Sequence, residues 1–358
     1  MTDLAPPPKS RLAGSLLLAF RAHVPALLLI LTYWLVMKLL VPADAPEIAF
    51  DLNRVGEVLG VVGPVFLLGV LIAVYIRLIF ARGSERPIER LRRWGSEVSW
   101  LELLALRLPI GLAFLIANQA IYITLKVSIP YIEPFSWDPA FTAADRWLFL
   151  GVDPWELTHA LFASALSTAV IDALYVIWFF VVYLGFIGFA ILPMTSVTRL
   201  AFLLAFGLGW SVGGSLMAVW FSSAGPVYYE RLFGSSDFVP LMERLGAQSE
   251  HYRITALIVQ EKLWQGYTLA EVVPVGISAF PSMHLCITAI VACAAFRIHR
   301  VAGWAMLLFT VAIFIGSIHL GWHYAVDSIA GLVIGVLFWW VGMMAARAWL
   351  SWCGIAAK

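Results

Sequence analysis

The chain has 358 residues, 62% of them hydrophobic and only 13% charged, with 23 Lys and Arg against 22 Asp and Glu. Soluble domains carry about 25% charged residues, so this composition, with a mean hydropathy of +0.90, excludes a soluble globular enzyme, a disordered chain and a nucleic-acid binder. The net charge of +1 gives no overall field for a polyanion, and Cys286, Cys293 and Cys353 have neither metal-type nor disulfide-type spacing.

A hydrocarbon core about 30 Å thick takes roughly 20 apolar helical residues to cross. Eight runs approach that length, near residues 15–41, 58–80, 101–126, 164–192, 200–221, 281–296, 302–319 and 326–350. The third carries Arg107 and Pro109, and the sixth and seventh are short. The runs are continuously apolar rather than alternating, which argues against a β-barrel. The expected fold class is an all-α polytopic membrane helix bundle of about eight spans. The first run is longer than a signal-peptide core of about 7 to 15 residues and is expected to be a retained helix.

Basic residues set the expected orientation. Lys9 and Arg11 precede the first span; Arg77, Arg82, Arg86, Arg90, Arg92 and Arg93 crowd the connection after the second; Arg199, Arg297, Arg300, Arg347 and Lys358 fall at later connections or the end. Segment 42–57 instead has Asp44, Glu47, Asp51 and Glu57 against Arg54. With eight spans every basic connection lies on one side, so both termini are expected in the cytoplasm. Two long outer connections then follow: 127–163, rich in Pro, Trp and Asp, and the more polar 222–280. The expected division is two N-terminal helices with their basic cytoplasmic connection over 1–100, and a membrane domain over 101–358.

Chemistry concentrates at the outer ends of the last spans. In Phe280-Pro281-Ser282-Met283-His284 a proline opens a helix, and the free amides of a helix start favour an anion. In Gly316-Ser317-Ile318-His319-Leu320-Gly321-Trp322-His323-Tyr324-Ala325-Val326-Asp327, a helix would place His319, His323 and Asp327 on one face at i, i+4 spacing. Asp327 would then orient His323 for nucleophilic or general-base work. His284 would face it across the bundle.

Pro281-Ser282-Met283-His284 and His323-Tyr324-Ala325-Val326-Asp327-Ser328-Ile329-Ala330-Gly331, about 40 residues apart, resemble the second and third signature motifs of the type 2 phosphatidic acid phosphatase superfamily. Their form is similar to the branch containing inositol phosphorylceramide synthases and sphingomyelin synthases. The resemblance spans roughly residues 115 to 345. It implies a six-helix phosphatase-like core and a phosphohistidine mechanism needing no metal and no cofactor. His323 would attack phosphorus, Asp327 would orient it, and His284 would protonate the leaving oxygen and later activate the acceptor. The helix-start amides near Ser282 would hold the phosphoryl oxygens.

Two departures bear on reaction type. Ser317 stands where the family's phosphatases have an arginine, and Lys126 to Glu133-Pro134 matches their first motif with Glu in place of Arg. Lys126, Arg231, Tyr228 and His319 are the candidate replacements for substrate binding. Lys126 equally fits a snorkelling anchor, His319 a packing residue, and the Tyr228–Arg231 loop a cap on the bundle. Asp138 and Asp145 fit either catalysis or turn formation and helix capping. Arg107 and Asp172 are ionisable residues within spans, functional or paired structurally between helices.

The expected activity is lipid headgroup transfer at the extracytoplasmic face, from a phospholipid or polyprenyl-phosphate donor to a lipid or polyol alcohol. A lipid or polyprenyl phosphate or diphosphate phosphatase is the nearest alternative. A membrane metalloenzyme using His319, His323, Asp327 and His284 is another. A transporter would show repeats with broken helices in corresponding halves, and the sequence has no such symmetry.

Overall fold

The computed structural model describes residues 8–45, 89, 100–268 and 276–355. The expected second span, the acidic residues Glu47, Asp51 and Glu57, and the arginines from Arg77 to Arg93 lie outside them. The described residues form helices and no strand. In chain order we name them α1 (Pro8–Leu40), α2 (Leu103–Ile132), α3 (Asp138–Leu148), α4 (Pro154–Leu161), α5 (Ala165–Ala190), α6 (Val197–Trp220), α7 (Tyr229–Phe233), α8 (Val239–Ser249), α9 (Thr255–Thr268), α10 (Met283–Ile298), α11 (Arg300–His319) and α12 (Ala325–Trp352). Among them α1, α2, α5, α6, α11 and α12 are long and apolar enough to cross a membrane, while α10 is apolar but shorter. The third run therefore continues to Ile132, and the segment expected as a long outer connection after it is two short helices.

Local chemistry sets the boundaries. Ser164 and Ser196 cap α5 and α6 by accepting from the amides of Ser167 and Arg199. The α11 helix stops because Gly321 takes a left-handed φ of +73°, the usual way a helix ends. The expected common helical face for His319, His323 and Asp327 is thus not formed: His319 ends α11, His323 lies in the turn, and Asp327 is in the first turn of α12.

The α6, α10 and α12 helices form the centre of the bundle, with α11 against α10 and α1 against α2 and α6. Backbone contact between α10 and α12 depends on two glycines. A Cβ at Gly331 would lie 2.3 Å from the Ser282 carbonyl, and one at Gly335 would lie 2.3 Å from that of Cys286. Small residues one turn apart let membrane helices approach this closely. The consequence is that the starts of α10 and α12 lie side by side.

The connections show which helix ends share one end of the bundle. Asp145 of α3 bonds the amides of Ala325 and Val326, the His159 ring of α4 meets the His319 carbonyl, and Asp172 of α5 accepts from Thr255 and Ala256 of α9. The short helices α3, α4 and α7 to α9 therefore cover the end where α10 and α12 start. At the opposite end Arg21 donates to the Cys353 carbonyl. Arg199, expected as a solvated arginine of a basic connection, is instead fully buried and bonds the carbonyls of Ala190 and Arg107 and the ring of His23.

Gly331→Ala should cost about 1 to 3 kcal/mol, the usual scale of overpacking, and lower the melting temperature in detergent. It should also reduce turnover beyond the loss of folded protein, because Ser282 and His284 must move. A variant with wild-type melting and wild-type rate would show that the contact has slack.

Candidate active site

The His284 side chain sits in the first turn of α10, packed among aromatics. Its ring stacks on Tyr175 at 4.4 Å between centroids and lies 4.2 Å from Trp178. Trp178 Nε1 donates to the His284 carbonyl at 3.0 Å and to the Thr288 hydroxyl at 2.7 Å, which fixes the backbone of that turn. The His323 ring lies 6.1 Å from that of His284.

His323 is carried by a tight turn whose amides are paired: the Ser317 carbonyl accepts from both Trp322 and His323 at 3.0 Å. Burial holds the His323 ring at a pKa of about 3, and the Lys126 ammonium pushes the same way against a hydrogen bond to the Ala279 backbone. The imidazole is therefore neutral at physiological pH, the form with a lone pair to give. Asp327 Oδ2 is 3.7 Å from His323 Nδ1, longer than a hydrogen bond, and accepts instead from the Tyr324 amide at 3.1 Å. His284 Nε2, His323 Nδ1, Asp327 Oδ1 and the Ser282 hydroxyl are buried without partners.

A cavity of about 450 Å³ is lined by both histidines, while Asp327 and Ser282 lie behind its wall. Lys126, His284 and His323 line it together with aromatic residues from α2, α5 and α6. No carboxylate among the described residues pairs with Lys126, whose ammonium lies 5.9 Å over the Tyr122 ring. A half-buried ammonium with no carboxylate partner among the described residues, beside two histidines, is suited to an anion.

The other expected substrate contacts fare differently. Tyr228 lines the cavity, but its hydroxyl is given to the Gln260 carbonyl at 2.9 Å. Arg231 is not on this cavity; it pairs with Glu261 at 2.8 Å and lies over Trp264. His319 does not line it either: its ring stacks on His159 at 3.8 Å and meets the hydroxyls of Thr168 and Thr158. The packing role, not substrate contact, accounts for that geometry. The Ser282 amide, expected to face phosphate, is committed to the Asp327 carbonyl at 3.1 Å.

Asp138 and Asp145 cap other elements rather than their own helix. Asp138 accepts from the amides of Ala224 and Gly225 and from the Tyr324 hydroxyl, and Asp145 accepts from Ala325 and Val326. Burial raises both carboxyls, Asp145 to about 7, against the pull of these donors. Both are positioning residues for the turn that holds His323. Arg107 pairs with Glu102 at 2.9 Å. The ligand set of His319, His323 and Asp327 is not assembled, and no three His, Cys, Asp or Glu side chains among the described residues are grouped to hold one ion.

The sequence reasoning missed the walls: Tyr175, Trp178, Gln119, Tyr122 and Trp210 all line the cavity. Their signal, polar and aromatic residues spaced along apolar helices, is indistinguishable in sequence from interfacial anchoring.

Fold and site together define a helical membrane protein with a histidine-bearing cavity at one end of its bundle. A family model described as the PAP2 superfamily matches residues 139–341, more than half of the chain, and the chain belongs to that superfamily. Membership supports a phosphatase-type or phosphotransferase-type enzyme acting on lipid-type substrates at a bilayer. No curated protein and no solved structure matches the chain.

Ser317 does not face the cavity. It is fully buried, and its hydroxyl bonds the Phe314 carbonyl and the Ser328 hydroxyl at 2.8 Å each. Ser317→Arg would therefore place a cation between α11 and α12 rather than in the cavity. It should cost at least about 3 kcal/mol, the scale of an uncompensated buried charge, and lower both folding yield and turnover. A gain in monoester hydrolysis would overturn this placement.

Proposed function

We propose that the protein is an integral-membrane lipid phosphotransferase, moving a phosphoryl headgroup through a phosphohistidine intermediate to an alcohol acceptor at the extracytoplasmic face. The observation that carries this reading is the cation content of the cavity wall: among the described residues, Lys126 is the one lysine or arginine on the wall that bears His284 and His323, and the wall's carboxylate, Asp172, is taken up by the Thr255 and Ala256 amides. A monoester phosphate carries about one more negative charge than a diester at neutral pH. Each missing charge-assisted contact costs roughly 1.5 to 3 kcal/mol. Two such losses depress monoesterase activity by at least about a hundredfold, whereas a monoanionic diester is matched by a lone ammonium.

The neutral His323 imidazole attacks phosphorus, and the bond from phosphorus to the leaving oxygen breaks. His284, which takes up a proton from water once the anionic headgroup lies beside it, gives that proton to the oxygen, and the leaving alcohol departs. His284, now neutral, takes the proton of the incoming hydroxyl as its oxygen attacks phosphorus, and the bond to His323 breaks. Lys126 offsets the charge on the phosphoryl oxygens throughout. Asp327, at 3.7 Å in the free protein, closes on His323 as the imidazole becomes cationic; catalytic hydrogen bonds commonly tighten only in the complex. The extracytoplasmic face follows from the charge pattern of the connections, since the site lies at the end opposite Arg297 and Arg300, which flank the α10–α11 connection.

The test uses the purified protein in vesicles with labelled phospholipids, phosphatidic acid or polyprenyl phosphates, with and without ceramide, diacylglycerol or polyol acceptors. Transfer from a diester or diphosphate lipid to an alcohol should exceed hydrolysis of phosphatidic acid. In vesicles of known orientation, donor in the outer leaflet should be used and donor confined to the cytoplasmic leaflet should not. Efficient hydrolysis of phosphatidic acid with no transfer to any alcohol would make the enzyme a lipid phosphatase, and use of the cytoplasmic leaflet alone would reverse the orientation.

A further inference from the structure

Five of the buried polar atoms without partners belong to side chains that line one cavity. Gln119 Nε2, Trp210 Nε1, Tyr175 Oη, Trp322 Nε1 and His284 Nε2 are buried without partners, and all five side chains line the cavity that holds Lys126 and His323. Buried donors in a native protein are nearly always satisfied, so a group of orphans around one cavity is the imprint of a ligand.

These atoms fall at two depths. Tyr175 stacks on His284 and, at 6.3 Å, on Trp322, so those three belong with the reacting phosphorus. Gln119 lies two turns before Lys126 on the same side of α2, and because the Lys126 ammonium folds back over Tyr122, Gln119 is about 5 Å, one turn, further into the bundle than that ammonium. Trp210 lies at the depth of that ammonium, since the Tyr122 ring is 4.4 Å from Trp210 and under the Lys126 ammonium, and it lines the same cavity as Gln119. Trp210 is 95% buried, being 5% exposed. An indole N–H and an amide NH₂ are donors, and at this depth they need an acceptor carried by the substrate.

A prenyl chain has no acceptor there. An acylated lipid does: in both a diacylglycerol and an N-acyl sphingoid backbone an acyl carbonyl carbon lies roughly five bonds from phosphorus, on the order of 6 Å when extended. The cavity also reaches the lipid-facing surface between α2 and α5, where its wall residues Ile123 and Phe179 are 45% and 49% exposed, leaving a path for the tails. We propose that Gln119 and Trp210 form an acyl-carbonyl subsite that makes the enzyme select ester- or amide-linked lipids over prenyl phosphates. The inference rests on the phosphotransfer reading above and names its substrate class.

The test compares a diacyl phospholipid with its dialkyl-ether analogue of the same headgroup and chain length, with a ceramide-linked donor as a third arm. For wild type, kcat/KM should favour the diacyl or ceramide donor over the ether about tenfold, the worth of a hydrogen bond to a buried donor. In Trp210→Phe and Gln119→Leu the ratio should fall toward one. The faster of the two carbonyl donors identifies the backbone. Thermal stabilisation of wild-type protein by the diacyl lipid, absent with the ether lipid and lost in Trp210→Phe, reads the same subsite without turnover. Equal turnover or equal stabilisation by ester and ether lipids in wild type would overturn the subsite. Carbonyl-dependent stabilisation with no transfer from any donor would support the subsite and sink the phosphotransfer reading instead.

Discussion

The site depends on a backbone contact between the first turns of α10 and α12. The Ser282 amide donates to the Asp327 carbonyl at 3.1 Å, and Gly331 leaves the Ser282 carbonyl room that any Cβ would occupy. Helix association in a bilayer has no hydrophobic effect to drive it and relies on close packing and interhelical hydrogen bonds. That contact sets the separation of His284 and His323, because each lies within two residues of it or one helical turn. The widened π-helical half of α6, Gly209–Met217, then leaves space beside them, with Trp210 turned to the cavity wall. Such widened turns recur at functional sites.

Buried carboxylates do a different job from the one their acidity suggests. Asp138, Asp145 and Asp172 each accept from backbone amides on elements far away in sequence. Helix starts and tight turns leave amides unpaired, and at the membrane boundary a carboxylate is a stronger acceptor for them than water held in place. The cap of short helices is thereby fastened to the spans at the turn bearing His323 and at the start of α9. Removing such an acceptor would leave two orphan amides rather than weaken a chemical step.

The helical class, the positions of the six described spans and the proximity of His284 and His323 were legible in the sequence, since they follow from apolar run length and from two short motifs. The geometry between the motifs was not. A left-handed residue at Gly321 breaks the i, i+4 series, so His319 is drawn to His159 instead of the cavity. Arg231 and Lys126 look alike as isolated cations beside the membrane, yet Arg231 pairs with Glu261 while no carboxylate among the described residues pairs with Lys126. Ser317 stands at an arginine position of the motif, and only its packing against Ser328 shows that its hydroxyl is turned between α11 and α12 and not into the cavity. Pair partners and wall residues come from tertiary packing, which a spacing rule does not encode.

The central claim is that His323 is the atom bridge through which phosphorus passes while His284 moves the proton. The direct measurement is rapid acid-free quenching of wild-type protein with a labelled phosphodiester lipid, followed by peptide mapping of the adduct. The account predicts a base-stable, acid-labile phosphoramidate on His323, absent in His323→Ala and still formed by His284→Ala from a donor whose leaving group needs no proton. An adduct on His284, or turnover by His323→Ala, would contradict it.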